Sequence, residues 1–320
     1  MTEPPFVLAL AGGVGGGRFA RGLVAVLPPE RLAVVVNTAD DFVHLGLHIS
    51  PDIDSVLYAL TDLNDTEHGW GLAGETWNFM AAMERLGGET WFKLGDRDLA
   101  THILRTQELA KGRTLSEVTT LLAQRLGVAH AVVPMSDDPV RSIVDTDEGA
   151  LEFQDYFVRR QCKPVFRGVT FQGGAKANPS EGFRQSLDRA WAVIIAPSNP
   201  FVSIDPILAL PGIQDALRSP HRSVVAISPI VGGKAVKGPL AKMMRELGVE
   251  PSALGVTRHY GGLVDGWIID STDRDLAPAI EAHGHQVRVC NTIMRGLDDK
   301  RRLAHDAVEF ALKMSLESVG

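Results

Sequence analysis

The sequence predicts an α/β protein built on a mostly parallel β-sheet, and three observations lead to that class. First, several short runs are continuously apolar rather than alternating, which is typical of strands buried on both faces of a sheet. Second, segments with helical periodicity separate most of these runs. Third, polar or Gly-rich loops follow the runs, and the 32 glycines in 320 residues exceed the average share of roughly 7 %.

Seven apolar runs are predicted to be the strands of this sheet. They cover residues 6–11, 32–36, 130–133, 191–196, 223–227, 267–269 and 286–289. Helices are predicted between them, for instance at 18–26 and 239–247. We interpret the whole chain, residues 1–320, as a single domain.

Two stretches depart from the strand–helix alternation. Residues 51–127 have a mainly helical pattern and are interpreted as a helical insertion, with helices at 55–60, 76–86, 100–110 and 115–126. Residues 157–178 are basic and Gly-rich, and we expect them to form an irregular excursion over the functional site.

Composition and charge exclude several classes of protein. A hydrophobic fraction of 45 % and a charged fraction of 22 % are ordinary for a globular chain, which argues against disorder. The net charge of −7 argues against a general nucleic-acid binder, although a local basic pocket could still take a small anion. Two cysteines are too few for a disulfide framework. Without a signal peptide or an apolar run near the ~20 residues of a membrane span, the expected location is the cytoplasm.

Polar or Gly-rich loops follow five of the predicted strands. They cover residues 12–18, 37–41, 134–139, 197–200 and 228–234. In an open parallel sheet, such loops leave from the carboxyl edge, where ligands bind near the point at which the strand order reverses. The sequence therefore predicts one composite site at this edge.

The first loop is the strongest candidate for a phosphate-binding segment. Five glycines within residues 12–17, between a strand and a helix, would let backbone N–H groups approach a phosphate at a helix N-terminus. The loop does not match a P-loop, because Arg18 replaces the lysine and Phe19 replaces the hydroxyl residue. Asn37 stands where an NAD enzyme needs an acid for the ribose. A tight turn without a ligand is the alternative interpretation. The candidate glycines are Gly12, Gly13, Gly15 and Gly16.

Acidic residues form a second candidate set. They occur as three pairs: Asp40 and Asp41, Asp52 and Asp54, and Asp96 and Asp98. Carboxylates are natural ligands of Mg²⁺, which usually also binds substrate phosphate, and a carboxylate beside an alcohol can orient it or take its proton. Helix capping is the alternative for single members of the set, since Asp is a favoured capping residue.

Basic and hydroxyl residues complete the predicted site. Lys234 lies in the Gly-rich stretch 232–238, which is similar to a second phosphate loop, and Lys93 precedes a Gly-Asp turn. Ser198 and Asn199, framed by prolines, would form a rigid polar turn suited to a base or a phosphate. Solvated surface is the alternative for the lysines, and a plain turn is the alternative for Ser198 and Asn199.

Two further features carry weaker predictions. His44 and His48 have the i, i+4 spacing of one helix face, but no third ligand for a zinc site is in register with them. Tryptophans 70, 77 and 91 are predicted to lie in the core of the helical insertion, and the alternative is that one of them faces a flat ligand.

Seven motifs occur in order over about residues 7–293, and together they resemble the 2-phospho-L-lactate transferase family of coenzyme F420 biosynthesis. They are Ala-Gly-Gly-Val-Gly-Gly at 11–16, Val-Asn-Thr-Ala-Asp-Asp at 36–41, Ser-Pro-Asp-Ile-Asp at 50–54, Leu-Gly-Asp-Arg-Asp at 94–98, Pro-Met-Ser-Asp-Asp at 134–138, Pro-Ser-Asn-Pro at 197–200 and Ser-Pro-Ile at 228–230. Seven ordered motifs are far more specific than one glycine loop.

The resemblance implies a fold, a reaction and partners. The fold would be a Rossmann-like, three-layer core with an added helical subdomain, and the protein would be a homodimer. A guanosine diphospho-linked three-carbon acid would donate a phospholactyl or phosphoenolpyruvyl group to the terminal hydroxyl of the deazaflavin Fo, and GMP would leave. Mg²⁺ would be required. The sequence does not identify the three-carbon acid.

The resemblance also assigns residues. Asp54 would act on the Fo hydroxyl, and Lys93 and Asp96 would help to bind Fo. Some of Asp40, Asp41, Asp52 and Asp54 would hold Mg²⁺. The glycine loop, Arg18, Ser198, Asn199 and Lys234 would bind the nucleotide. Many family members carry lysine at the position of Arg18, and arginine offers a planar fork instead of a point charge.

Two other functions are compatible with the same loops. One is a nucleotide-sugar-binding regulator of the gluconeogenesis-factor type, which shares the glycine loop and the general fold. The acidic motifs at 50–54 and 94–98 favour the transferase over this regulator. The other is a non-enzymatic scaffold that does not use its loops.

Overall fold

The computed structural model describes residues 5–66 and 68–317, and fourteen strands lie within them. They are β1 (Phe6–Ala11), β2 (Leu32–Val36), β3 (Phe42–His44), β4 (Leu47–Ile49), β5 (Ala131–Pro134), β6 (Arg141–Thr146), β7 (Gly149–Glu152), β8 (Phe166–Gln172), β9 (Ala190–Ile195), β10 (Ser223–Ile227), β11 (Ile230–Val231), β12 (Lys234–Ala235), β13 (Gly266–Asp270) and β14 (Gln286–Cys290).

Twelve α-helices connect or flank these strands in the described part of the chain. They are α1 (Gly13–Leu23), α2 (Pro51–Leu60), α3 (Asn78–Arg85), α4 (Asp98–Ala110), α5 (Leu115–Arg125), α6 (Glu181–Arg189), α7 (Asp205–Leu208), α8 (Ile213–Leu217), α9 (Leu240–Glu246), α10 (Ala253–Tyr260), α11 (Ala277–Glu281) and α12 (Leu297–Glu317). Short 3₁₀ or π turns cover Pro29–Arg31, Asp155–Arg159, Pro200–Ile204, Gly261–Leu263 and Ser271–Leu276.

The central sheet has seven strands in the order β14-β13-β10-β9-β1-β2-β5, and every neighbouring pair is parallel. All seven predicted runs become strands of this sheet, which confirms the predicted fold class. From β1 the chain moves to β2 on one side and later returns to β9 on the other side. The strand order therefore reverses between β1 and β9, and the predicted ligand edge lies where their loops leave the sheet.

Two apolar clusters cover the two faces of the sheet and give it three layers. Alternate residues of β1 enter different clusters, with Leu8 and Leu10 on one face and Val7 and Ala9 on the other. Helices α6 and α9 pack on the first face, and helices α1, α2, α5 and α12 pack on the second. None of the helices in the described ranges combines the length and the hydropathy that a bilayer crossing requires.

The segment between β2 and β5 contains the four predicted helices, observed as α2 to α5. Helices α2 and α5 join the sheet core, whereas α3, the start of α4 and the β3–β4 hairpin form a separate small cluster. The prediction of a helical spacing for His44 and His48 is wrong, because these residues lie on β3 and β4 of an antiparallel hairpin. The tight turn at Leu45 and Gly46, both with positive φ, interrupts any helix there.

The predicted irregular excursion at 157–178 is only partly irregular. Strand β8 occupies Phe166–Gln172 and pairs with β6, which also pairs with β7. These three strands form a small antiparallel sheet beside the central one. The sequence does not predict β6, β7 and β8, because these strands are short and their apolar residues alternate only in part.

Candidate active site

The loops after β1 and β9 contact each other at the point where the strand order reverses. Ser198 Oγ accepts a hydrogen bond from the Gly12 N–H at 3.2 Å and donates one to the Gly12 carbonyl at 2.8 Å. A Cβ atom on Gly15 would lie 2.5 Å from the Pro197 carbonyl oxygen, so only glycine permits this approach. The two loops, 186 residues apart in sequence, meet beside the N-terminus of α1, where an open parallel sheet has its ligand-binding crevice.

The start of α2 and the loop after β2 form the next part of the wall. Asn37 donates from Nδ2 to Asp52 Oδ2 at 3.0 Å and to the Val202 carbonyl at 3.2 Å. A Cβ atom on Gly12 would lie 2.6 Å from Asp52 Oδ2. The loops after β1, β2 and β9 therefore converge with the first turn of α2, as the composite-site prediction requires.

Asp40, Asp41 and Asp52 form a buried acidic cluster at this convergence, and each is at most 6 % exposed. Burial, followed by the charge of Asp52, raises the pKa of Asp40 well above its ordinary value. Burial raises the pKa of Asp52 to about 6, although Asn37 and the Gly13 N–H oppose the rise by hydrogen bonding. Removal from water costs the charged form free energy, so the cluster favours a cation or a proton.

The cluster fits a hard cation. Among the described residues, Asp40 Oδ1 and Asp41 Oδ1 are buried without a hydrogen-bond partner, and free carboxylate oxygens suit Mg²⁺. The four candidate ligands do not form a closed cage, since only His305, Asp306 and Glu309 bring three ligand atoms within 4.8 Å in the described chain. A cage is not required, because Mg²⁺ usually binds one or two carboxylates, water and substrate phosphate.

Asp54 lies outside this cluster, in a buried ion pair with Arg105 of α4. Arg105 Nη1 donates to Asp54 Oδ2 at 3.1 Å, and Nη2 donates to Asp54 Oδ1. Burial by itself lowers the pKa of Arg105, but the charge of Asp54 and these hydrogen bonds outweigh it and raise that pKa. The two parallel hydrogen bonds define a fork that fixes the plane of the carboxylate.

The buried network continues from Arg105 along α4. His102 Nδ1 lies 3.2 Å from Arg105 Nη1, and His102 Nε2 lies 3.1 Å from Asp98 Oδ2. Tyr58 of α2 donates to Asp98 Oδ1 at 2.5 Å. Burial acts to raise the pKa of Asp98, but His102 and Tyr58 together lower it. A polar network therefore joins α2 to α4 inside the insertion.

A small cavity lies at the far end of this network. Asp98 contributes to its wall together with Glu75, Trp70 and Trp77, and the two tryptophan rings are 5.9 Å apart at 63°. Trp70 is 44 % exposed and Trp77 is 38 % exposed, so the prediction that they are core residues is wrong. They line an accessible aromatic recess instead.

Positive charge gathers around Arg18 of α1. The Lys237 ammonium occupies the space that a Cβ on Gly69 would fill, so the 232–238 loop reaches across to the insertion. Burial and then the charge of Arg18 lower the pKa of Lys237. Burial also lowers the pKa of Lys300. The charge of Arg18 lowers this pKa further, and the charge of Asp62 raises it. Arg18 is thus the common neighbour of these two lysines.

Comparison with known proteins identifies the family. The family model described as 2-phospho-L-lactate transferase CofD matches residues 7–302. A phosphoenolpyruvate transferase of Kitasatospora aureofaciens is 40 % identical over 312 residues, which cover 95 % of this chain and 97 % of the relative. A 2-phospho-L-lactate transferase of Methanosarcina mazei is 37 % identical over 303 residues, covering 95 % and 99 % of the two chains. The chain belongs to the 2-phospho-L-lactate transferase family. It is therefore an enzyme, and the regulator interpretation is not favoured.

A solved structure supports the fold of the transferase. A member of the UPF0052 family from Bacillus halodurans superposes with a TM-score of 0.62 and covers 96 % of this chain and all 100 % of its own. At 15 % sequence identity this likeness concerns the fold alone.

The transferase uses several predicted site residues in structural contacts. Asp96 accepts hydrogen bonds from the N–H groups of Asn78 and Phe79, at 3.0 and 2.9 Å, and so caps the start of α3. Asn199 Oδ1 accepts from the Phe201 N–H at 3.1 Å and stabilises the turn after β9. These contacts agree with the capping and turn interpretations, and they leave the binding roles of Asp96 and Asn199 as predictions.

Two predicted lysines of the transferase are exposed. Lys93 precedes the buried Leu94, and within the described residues no hydrogen bond or ion pair of its side chain is present. Lys234 lies on β12, in the hairpin that β11 and β12 form over the carboxyl edge. Their roles in binding remain predictions.

Arg105, His102 and Tyr58 were not predicted as site residues. A signal was present, because Asp98, His102 and Arg105 recur at i, i+4 and i+7 and so share one face of the predicted helix. The sequence does not show which element this polar face meets. That element is α2, which presents Tyr58 and Asp54 to it.

Proposed function

We propose that the protein transfers a phospholactyl or phosphoenolpyruvyl group from a guanosine diphospho donor to the terminal hydroxyl of the deazaflavin Fo. The hydroxyl oxygen attacks the distal phosphorus, the bond from that phosphorus to the bridging oxygen breaks, and the electron pair leaves with GMP. The Asp54 carboxylate accepts the hydroxyl proton in the same step. Family membership supports this reaction, and so does the convergence of the glycine loop, Asn37 and Asp52 at one crevice.

The N-terminus of α1 suits the diphosphate of the donor. The first N–H groups of a helix have no carbonyl partner within it, and the helix dipole favours an anion there. Among the described residues, Arg18 and Lys237 lie close to each other without an ion pair. Two such cations beside a helix N-terminus would lose their mutual repulsion when an anion binds between them.

Asp40, Asp41 and Asp52 would hold Mg²⁺. When bound, this ion would neutralise negative charge on the diphosphate and on the departing GMP. The residues themselves supply two free carboxylate oxygens in a site largely closed to water. Asn37 keeps the Asp52 carboxylate in place by donating to Oδ2.

Asp54 would orient the Fo hydroxyl by accepting a hydrogen bond from it. The carboxylate is 5 % exposed as a residue and is held by Arg105 from one side. An ionised carboxylate held in one plane is a good acceptor for a hydroxyl proton. Lys93 and the exposed ring surfaces of Trp70 and Trp77 would bind other parts of Fo, since flat aromatic ligands pack on aromatic side chains.

The test is a transfer assay with purified protein, Fo and guanosine diphospho donors of different three-carbon acids. We expect GMP to appear only when Fo and Mg²⁺ are both present, and mass spectrometry of the product identifies the acid. Asp54→Asn should lower kcat by roughly 10²–10⁴-fold with folding intact. Absence of GMP with every donor would overturn the proposal.

Nucleotide binding tests the donor side separately. Arg18→Met and Lys237→Met should each weaken GDP binding by roughly 3- to 10-fold, because hydrogen bonds to charged groups are worth about 1.5–3 kcal/mol before solvent exposure reduces them. Lys163→Met, a change at an exposed lysine outside the crevice, is the control. Isothermal titration calorimetry measures the GDP affinity of all three variants. Light scattering separately tests the expected homodimer. Equal GDP affinity in wild type and both crevice variants would remove these cations from the donor site.

A further inference from the structure

We infer that Arg105 is a positioning residue that sets the orientation of the Asp54 carboxylate toward the acceptor hydroxyl, and that His102 and Asp98 hold Arg105 in turn. The inference rests on the proposed function, because it assumes that Asp54 faces the acceptor. Arg105 and His102 lie outside all seven sequence motifs. Three observations carry it.

The first observation is the geometry of the Asp54–Arg105 contact. The two terminal guanidinium nitrogens, Nη1 and Nη2, face different carboxylate oxygens, so the contact fixes both the position and the plane of the carboxylate. Arg105 is fully buried, and its long side chain has no other conformation open to it without leaving Asp54 unpaired. A lysine would supply the charge but only a point contact.

The second observation concerns the hydrogen bonds on the other side of Arg105. Nη1 carries two hydrogens, and the group lies 3.1 Å from Asp54 Oδ2 and 3.2 Å from His102 Nδ1. Because Arg105 is a donor only, His102 Nδ1 is the acceptor of this hydrogen bond. His102 Nε2 lies 3.1 Å from Asp98 Oδ2 but is not aligned for a hydrogen bond. His102 is thus the side chain that lies between Arg105 and Asp98.

The third observation is the distribution of exposure along this network. The side chains of Arg105 and His102 are 0 % and 2 % exposed, whereas those of Asp54 and Asp98 are 7 % and 12 % exposed. The two end carboxylates are therefore slightly more exposed than the two side chains between them. One end is Asp54 on the first turn of α2, and the other is Asp98 in the wall of the aromatic recess. A ligand that contacts Asp54 meets a carboxylate whose position is set from the protein interior.

The test combines Arg105→Lys with Asp54→Asn in a double-mutant cycle. We expect Arg105→Lys to lower kcat by roughly 10- to 100-fold, because a misplacement of about 1 Å can cost 10²-fold. KM for Fo and the Kd for GDP should stay within about threefold of wild type. The substitution does not change the contacts that bind Fo in its ground state or those that bind the nucleotide. In the Asp54→Asn background, Arg105→Lys should cost less than about twofold more, because Arg105 acts through Asp54.

Two controls separate this role from a structural one. Arg222→Lys changes a half-buried arginine away from this network, which donates to the Leu187 carbonyl at 2.6 Å, and should leave kcat unchanged. His102→Gln removes the support behind Arg105 and should lower kcat by a smaller factor, even if Arg105→Lys does not fold. Circular dichroism and thermal unfolding establish folding of each variant.

Three outcomes would overturn the inference. They are a folded Arg105→Lys or His102→Gln variant with wild-type kcat, a loss of kcat that persists in full in the Asp54→Asn background, or an equal loss in Arg222→Lys. In those cases the proposed function would still hold, provided that the wild-type enzyme releases GMP as expected. A wild-type protein that releases no GMP would overturn the proposed function and this inference with it.

Discussion

Two buried acidic regions meet on the first turn of α2, and they satisfy their carboxylates in opposite ways. Asp52 joins Asp40 and Asp41, where two carboxylate oxygens have no partner within the described residues. Asp54, two positions later, is fully engaged by Arg105. On an α-helix these positions lie about 200° apart, so one aspartate faces the glycine loop and the other faces α4.

The difference separates a binding region from a supporting region. A buried polar atom without a partner costs about 1–3 kcal/mol, so the acidic cluster weakens the fold unless a ligand completes it. In the Arg105 region, both oxygens of the Asp54 carboxylate are paired without a ligand, and this ion pair joins α2 to α4. The following changes test this contrast, from the largest expected effect to the smallest.

Arg105→Met should destabilise the protein strongly, since it leaves the buried Asp54 carboxylate without its partner. Removal of one member of a buried pair typically costs about 3–5 kcal/mol. Thermal or chemical unfolding measures the loss, with Arg222→Met as the matched control that should lose much less. An unchanged melting temperature in Arg105→Met would mean that the two regions do not differ in this respect.

Asp40→Asn should have the opposite effect, with stability retained and activity lost. The substitution removes a buried charge that Asp52 and Asp41 repel, so the melting temperature should equal or exceed that of wild type. Mg²⁺-dependent transfer should fall by at least about 100-fold, because a bound metal contributes several kcal/mol of charge stabilisation. A variant that loses stability and keeps its activity would contradict the assignment of this cluster as the binding region.

Gly15→Ala should disturb the contact between the two loops of the crevice. The new Cβ would lie 2.5 Å from the Pro197 carbonyl oxygen, and backbone cannot yield as a side chain does. We expect a loss of about 1–3 kcal/mol in stability together with weaker GDP binding. Gly168→Ala on β8, where a Cβ meets nothing within 4 Å, is the control. Equal behaviour of the two variants would show that the loops do not need this close approach.

Asp96→Asn should have the smallest effect, and the effect should depend on pH. Hydrogen bonds from the Thr76 hydroxyl and the Phe79 N–H lower the pKa of Asp96 from 3.8 to about 2. A lowered pKa in the folded state stabilises the fold above the unfolded pKa, and this contribution disappears as the pH falls through 2. The melting temperature of the variant should therefore be lower near pH 6 and approach that of wild type near pH 2. A difference that does not change with pH would contradict the capping role.

The central sheet was predictable because each of its strands is a continuous apolar run between breaks. The start of α1 was predicted too late, at residue 18 instead of Gly13. Glycines have poor helix propensity, but here tertiary contacts with Pro197 and Asp52 override it. The β3–β4 hairpin and the β6–β8 sheet escaped prediction, because strands of three to seven residues with mixed burial give little periodic signal.

The sequence predicted which residues belong to the site better than it predicted their contacts. Motif order indicated that Gly12, Asp52 and Ser198 belong together, and the structure brings them together. Spacing could not show that Asp54 faces away from Asp52 and meets Arg105, since that depends on how α4 packs against α2. Long-range pairing of polar side chains follows from tertiary packing, which a local pattern does not encode.

A crystal structure of the enzyme with GDP, Mg²⁺ and Fo tests the central claim most directly. We predict diphosphate oxygens within about 2.7–3.2 Å of the N–H groups at the start of α1, and the terminal Fo hydroxyl at the Asp54 carboxylate. A diphosphate bound away from residues 13–16, or an Fo hydroxyl outside hydrogen-bond reach of Asp54, would contradict the account.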